Sequence, residues 1–405
     1  MAFFAGKTVF ITGASRGIGK AIGLRLAREG ANIVVAAKTT EPHPKLEGTI
    51  FTAAAEMDAA GGKGLPVMVD IRDPESINAG VAAAVDRFGG IDIVVNNASA
   101  ISLTGTAETP VKRYDLMHQV DGRGTFLTTQ ACLPHLKKGR NPHILTISPP
   151  LNLNPRWFKN HVAYTTAKYS MSMNSLGWAE EFRDLGIASN CLWPRTAIAT
   201  AAMAMLGGPD AMAECRKPEI MADAAAFVLA SPSGRVTGNF FLDDDVLLSH
   251  HPKIDLDQYA HTPGHKLLID FFLDDADLNF AQSQPNQTVT KTTISSASAS
   301  SPPGISSYIE KMHKNMVDAG VFRSFKGSVK IEIDSGKPTQ ASWLITETGN
   351  LEPNPTGEAS CTVKFSTATF HAMLSKQVSP QVALFKGDLS IKGDMGLALK
   401  LAKFL

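Results

Sequence analysis

Tyr164 and Lys168 stand four residues apart in the run Tyr-Thr-Thr-Ala-Lys, inside a stretch that reads as helix. On an α-helix, residues i and i+4 lie one above the other on a single face. A phenol normally holds its proton to about pH 10, and a neighbouring ammonium favours the phenolate and lowers that value. Such a pair can give a proton to a carbonyl oxygen, or take one from a hydroxyl, near neutral pH. A tyrosine and a lysine at this spacing are common on helices, so the pair gains weight only from its context.

That context is a nucleotide-binding pattern. Residues 7–12, Lys-Thr-Val-Phe-Ile-Thr, read as a buried strand. Gly13, Ala14, Ser15, Arg16, Gly17, Ile18 and Gly19 follow as a glycine-rich turn, and an amphipathic helix then runs to about Glu29. Strand, glycine turn and helix place a pyrophosphate on the helix N-terminus. Without a ligand, the same pattern is an ordinary tight turn. The second strand, 32–37, ends in Ala37-Lys38-Thr39-Thr40. An acid there would hold the ribose 2′-hydroxyl of NAD. Here the acid is missing, and Arg16 and Lys38 can both face a 2′-phosphate, so NADP is the expected cofactor. The alternative is a pair of solvated surface cations.

The elements that position these residues alternate. Further strands are expected at 64–70, 91–95, 143–148, 186–192 and 237–242, and helices at 73–88, 113–136, 162–185 and 219–230. Alternation of this kind predicts an α/β, Rossmann-type doubly wound parallel sheet with right-handed crossovers. The 405 residues, 44% of them apolar, allow two or three domains. A net charge of +1 gives no electrostatic case for nucleic acid or an anionic membrane. The cysteines are far apart, without zinc spacing, and read as buried, reduced thiols in an intracellular, non-secreted protein. No apolar run reaches the roughly 18 residues of a membrane span, no metal site is expected, and the first strand starts too early for a cleavable leader.

Thr-Gly-Ala-Ser-Arg-Gly-Ile-Gly, then Asn-Asn-Ala, then Tyr-Thr-Thr-Ala-Lys, in that order, resembles the short-chain dehydrogenase/reductase family over roughly the first 250 residues. The resemblance implies hydride transfer between a nicotinamide and a carbonyl or alcohol. It assigns the acid/base role to Tyr164. Lys168 would hold the nicotinamide ribose and lower the tyrosine pKa. It also implies that Asp70 contacts the adenine and that Asn97 belongs to the cofactor site, and it implies a homo-oligomer paired through long helices. Four departures stand out. The usual second serine after the fifth strand is Pro149, which leaves Ser148 to hold the substrate oxygen. Asp121 replaces a helix asparagine, Arg195 follows Pro194 where glycine is usual, and Ser99 also replaces a glycine.

Residues 274–303 are rich in Ser and Thr, nearly without large apolar side chains, and predict a flexible linker between a dehydrogenase domain at 1–273 and a further domain at 304–405. A coil of that length reaches on the order of 30 Å. Beyond it, helices at 308–319 and 367–375 and strands at 325–333, 342–346 and 359–365 do not alternate, which suggests a small α+β unit. Its end, Phe-Lys-Gly-Asp-Leu-Ser-Ile-Lys-Gly-Asp-Met-Gly-Leu-Ala-Leu-Lys-Leu, resembles the sterol carrier protein type 2 family, which implies an apolar tunnel for lipid or acyl-CoA. The two-domain order is similar to that of a family associated with peroxisomes and mitochondria, although Lys403-Phe404-Leu405 is a poor Ser-Lys-Leu address. Two functions stay open. One is an NADP-dependent oxidoreductase for a small hydrophobic substrate, fatty-acyl or steroid-like, with a tethered lipid module. The other is a lipid-binding or trafficking protein whose dehydrogenase half binds NADP but turns over little.

Overall fold

A parallel sheet covered on both faces needs short strands that are apolar throughout. In the computed structural model, β1 (Thr8–Thr12), β2 (Asn32–Ala37), β4 (Ile93–Asn96), β5 (His143–Ile147) and β6 (Ala188–Trp193) are buried at every position. β3 (Lys63–Met68) is half exposed and contains Pro66. It is an edge strand, where a missing N–H removes no ladder bond. With β7 (Phe240–Leu242) these strands form one seven-stranded sheet in the order β3-β2-β1-β4-β5-β6-β7. Every pairing is parallel. The order reverses between β1 and β4, and the crevice for ligands in such sheets opens at the carboxyl ends of strands at that point. The structure describes residues 3–43, 46–273, 305–318, 327–334, 341–353, 355, 357–374, 389–393, 397 and 401.

Strand alternation sorts the core into two layers. Val9, Ile11, Ile33 and Val35 face one side, where α1 (Gly17–Ala27), α2 (Ile50–Ala59), α8 (Glu219–Ala230) and α9 (Asp243–His250) contribute Ile22, Leu26, Met57, Leu229 and Leu247. Phe10, Val34 and Val94 face the other, against Ile77 and Val81 of α3 (Pro74–Phe88), Cys132 and Leu136 of α5 (Thr125–Leu136), and Trp178 of α6 (Val162–Glu181). α3 starts as expected, with Asp73 accepting from the Glu75 amide and proline in the first turn.

The single long helix expected over 113–136 is corrected to α4 (Val111–His118) and α5 separated by a π-helical turn, Gln119–Gly124. The sequence Asp-Gly-Arg-Gly explains the interruption. A Cβ on Gly124 would lie 2.7 Å from Ile71 Cδ1, and one on Gly122 would lie 2.2 Å from Ser170 Oγ. The wide turn packs its backbone against both side chains, and any larger residue there would have to displace them. Helix α7 (Ala201–Ala213) follows β6 and breaks at Gly208, whose φ is +66°. The last strand is shorter than expected, beginning at Phe240.

The chain divides into two compact units. The second contains a five-stranded mixed sheet, β10-β9-β8-β11-β12, formed by β8 (Val329–Asp334), β9 (Ala341–Ile345), β10 (Leu351–Pro353), β11 (Cys361–Ser366) and β12 (Leu389–Gly393). β8 and β11 pair in parallel and the other pairs are antiparallel. Val329, Ile331, Ile333, Val363 and Phe365 face one side of the sheet, as period-two alternation requires. They meet Ile309, Met312 and Met316 of α10 (Ile305–Asp318) and Phe370 and Met373 of α11 (Thr367–Leu374). The fold is α/β followed by a small α+β unit. The expected linker, 274–303, lies outside the described residues, as do most residues of 384–401 apart from β12 and the buried Leu397 and Leu401. The four cysteines are buried thiols.

Candidate active site

The glycine turn is built for close approach. Gly13 and Gly17 have φ of +68° and +59°, a region that side chains disfavour. A Cβ on Gly19 would stand 2.5 Å from Asn97 Nδ2. Arg16 precedes α1 and supplies no side-chain cap to it, so the first-turn amides point at the crevice without a protein acceptor from the cap residue. Ala14 and Ser15 are buried within the turn, and Ile18 packs against the core. These features fit a bound pyrophosphate. Asn97 acts as a brace between β4 and the turn. Its Nδ2 donates to the Thr12 and Gly13 carbonyls at 2.9 and 3.3 Å, and its amide donates to Thr12 Oγ1 at 3.0 Å.

At the end of β2, Lys38 lies 3.8 Å from the Asp70 carboxylate and is mostly exposed. Arg72, which the sequence reading did not single out, grips Asp70 through Nε at 2.9 Å and Nη2 at 2.5 Å. That grip holds the Asp70 pKa down at about 2. Arg16 donates to the Glu47 and Gly48 carbonyls at 3.0 and 2.7 Å and to Thr39 Oγ1 at 3.4 Å. Its guanidinium therefore pins the loop beside Lys38. Both cations flank the same end of β2, and Asp70 is the counter-charge of Lys38 and Arg72.

Tyr164 and Lys168 share the buried face of α6, with 5% and 2% of their surfaces exposed. The helix lies tight on β5 and β6 because its contact residues are small. Ser172 Oγ donates to the Pro149 carbonyl at 2.7 Å, and Ser175 and Ser189 hydroxyls meet at 2.8 Å. Lys168 Nζ donates to the Ile147 carbonyl at 2.8 Å and sits 5.2 Å above the Trp193 ring. Burial lowers its pKa, while Asp121, Cys191 and Asp270 oppose that. Asp121, in the π turn, accepts the Ala100 amide at 2.8 Å; its other oxygen, Oδ2, is buried without a hydrogen-bond partner among the described residues. Burial lifts its pKa to about 6 against the pull of Lys168, the Ala100 amide and the Ser99 hydroxyl.

Two features differ from what the sequence implied. The Tyr164 pKa is raised well above that of a free phenol, by burial first and then by the charges of Asp121 and Asp270. The Lys168 ammonium donates to the Ile147 carbonyl, and Asp121 and Asp270 act on the phenol in the same direction as burial. Ser148 is fully buried, and its hydroxyl donates to Cys191 Sγ at 3.2 Å.

Residues without a sequence signal complete the site. Asp270, from the stretch after α9, faces Lys168 and Tyr164, and burial raises its pKa to about 7. Its amide donates to the Arg195 carbonyl at 3.0 Å. Arg195, noted above as a departure, is a buried clamp. Its Nε donates to both Asp244 oxygens at 2.8 and 3.0 Å, Nη2 reaches Asp245 at 2.6 Å, and its amide donates to Asp243 at 2.9 Å. Phe272 is fully buried, with ring centroids 6.2 Å from Tyr164, 5.3 Å from Tyr169 and 5.9 Å from Trp193.

A doubly wound sheet, a glycine turn at its switch point and a buried Tyr/Lys pair on one helix define a short-chain dehydrogenase/reductase, an oxidoreductase, and here a second, lipid-carrier-like unit follows it. The short chain dehydrogenase family model matches residues 7–207, and the SCP-2 sterol transfer family model matches residues 309–405. The chain belongs to the family of hydroxysteroid dehydrogenase-like protein 2. It is 50% identical over 406 residues to that protein of Danio rerio, and 48% identical over 417 residues to that of Homo sapiens; each alignment covers 99% of this chain and 96% of the relative. A crystal structure of a short chain dehydrogenase from Mycobacterium thermoresistibile is 53% identical, with a TM-score of 0.63, covering 67% of this chain and 96% of that one.

Proposed function

We propose that the chain is an NADP-dependent reductase of a hydrophobic, fatty-acyl or steroid-like carbonyl, with a tethered module that binds lipid or acyl-CoA. The observation that carries this reading is the buried Tyr164–Lys168 pair on one helix of a sheet that also carries the glycine turn. When bound, NADPH would supply hydride to the carbonyl carbon. Gly13 to Gly19 would hold its pyrophosphate, Lys38 and Arg16 its 2′-phosphate, and Lys168 its nicotinamide ribose. Tyr164 would give its proton to the carbonyl oxygen. A phenol carries its proton near neutral pH, the state an acid must start from in this direction. Asp121 and Asp270 balance the Lys168 charge. The exposed apolar residues Phe126 of α5 and Met173 and Leu176 of α6 support a homo-oligomer joined through these helices. The peroxisomal or mitochondrial setting rests on the family resemblance alone. Among the described residues, no helix is long and apolar enough to cross a membrane.

The Ser148–Cys191 bond favours a second reading, a lipid-binding protein that holds NADP and turns over little. NADPH oxidation against fatty aldehydes, 3-ketoacyl compounds and ketosteroids separates the two. Under the first reading, Tyr164→Phe loses roughly 10²–10⁴-fold in rate while its NADPH affinity is kept. Full activity in that variant, or no oxidation of NADPH by any substrate, defeats the reductase reading.

A further inference from the structure

The stretch 269–273, Ile-Asp-Phe-Phe-Leu, crosses the site as a strap. Ile269 bridges Thr196 in antiparallel fashion, and the Asp270 amide is held by the Arg195 carbonyl. The Phe271 carbonyl accepts Trp193 Nε1 at 3.0 Å. The Leu273 carbonyl accepts three donors, Asn152 Nδ2, Arg156 Nη2 and Trp157 Nε1, at 3.0, 3.1 and 3.1 Å. A carbonyl oxygen has two lone pairs, so this latch is crowded. It also gives a role to the run 149–155, since Asn152 is fixed by Tyr169, whose hydroxyl donates to its carbonyl at 2.5 Å.

Between these anchors Phe272 turns inward. It has no exposed surface, and its ring sits among Tyr164, Tyr169, Trp193 and Trp157 at centroid distances of 5.3 to 6.2 Å. Its φ is +72°, a left-handed backbone that a bulky residue adopts only under constraint. Tyr164 is 5% exposed as a result. A carbonyl that takes the Tyr164 proton must come within hydrogen-bond reach of that hydroxyl, and the carbon skeleton attached to it needs the space the ring fills.

We propose that Phe272 is the gate of this site: its ring occupies an aromatic-walled recess above Tyr164 that the apolar body of the substrate fills when the strap 269–273 lifts. The left-handed backbone at Phe272 is strain that opening of the strap relieves, set against the hydrogen bonds that anchor Phe271 and Leu273. Trp157, Tyr169 and Trp193 remain to enclose an apolar chain, and a polar or very short substrate gains little from the emptied recess. This inference rests on the reductase reading.

The test uses the full-length protein, NADPH, butanal and dodecanal. Wild type should prefer dodecanal in kcat/KM. Phe272→Ala should raise kcat/KM for both aldehydes by about tenfold, the ring no longer having to be displaced, and should keep the preference for the longer chain. A value for dodecanal that falls or stays the same overturns the gate, since a merely structural phenylalanine would give that result. Hydrogen exchange of the wild-type peptide spanning 269–273 reads the strap without a variant. Dodecanal with NADPH should speed its exchange at least threefold, and unchanged exchange overturns the gate. Faster exchange without turnover would sink the reductase reading and leave the gate standing. Turnover with neither change would do the reverse.

Discussion

Replacing Arg195 by methionine probes the clamp on which the strap is mounted. The substitution removes a guanidinium that bonds both oxygens of a fully buried Asp244 and also pairs with Asp245. Asp244 keeps Arg216, at 3.3 Å, and must still face Asp243, whose own carboxyl is pushed up by burial and by Asp244. Breaking one side of a buried ion pair costs about 3–5 kcal/mol, because the abandoned charge has no water to turn to. Arg216 relieves part of this, so we expect a loss near the lower end, about 3 kcal/mol. At about 2–4 °C per kcal/mol for a unit of this size, the melting temperature should drop by roughly 6–12 °C. The assay is urea and thermal unfolding at pH 7.5, followed by Asp244→Leu in the Arg195→Met background. Asp244 is shared with the buried Arg216, so the second substitution strands that cation and brings its own cost; because both variants break the same pair, their losses should be less than additive, a coupling visible in a double-mutant cycle. A single-variant loss below about 1 kcal/mol, typical of an exposed pair, would refute the clamp. A double variant that loses the sum of both single effects would do so as well.

Lys38→Asp should turn a preference for NADPH over NADH into the reverse. Each charged contact is worth about 1.5–3 kcal/mol, and equal affinities in wild type on nucleotide titration would refute the assignment. Asp270 should make stability depend on pH. Its folded pKa of about 7 lies above an unfolded value of about 3.9, so its contribution is full below about pH 4 and is lost as pH rises through about 7. Asp270→Asn, which keeps the oxygen that accepts the Phe271 amide at 2.7 Å, should flatten that part of the melting-temperature profile; an unchanged slope would mean the carboxylate is not buried against Tyr164. The full chain should bind a fluorescent fatty acyl probe saturably, and a chain ending at residue 303 should bind it far more weakly. Equal binding by both would remove lipid capture from the second unit.

The sequence determined the sheet, the glycine turn and the Tyr164–Lys168 pair, because each is local. Val9 to Ile11 and Ile33 to Val35 are apolar at every position since both sheet faces are covered, and positive φ at Gly13 and Gly17 leaves its mark as residue identity. Period-two alternation at Val329, Ile331 and Ile333 marked a strand in the second unit in the same way. Other features were written in the sequence but not read from it. Asp-Gly-Arg-Gly breaks the helix at Asp121 because Gly122 and Gly124 press on Ser170 and Ile71, contacts that come from distant parts of the chain. Only the tertiary structure decided where protons and charges rest. Asp270 and Phe272 reach Tyr164 from a stretch with no periodicity, brought there by Arg195 and by three donors on the Leu273 carbonyl. A raised phenol pKa, and a Ser148 hydroxyl turned to Cys191, follow from burial and from through-space neighbours. Spacing along the chain specifies which groups share a helix face, whereas desolvation depends on everything that closes over them.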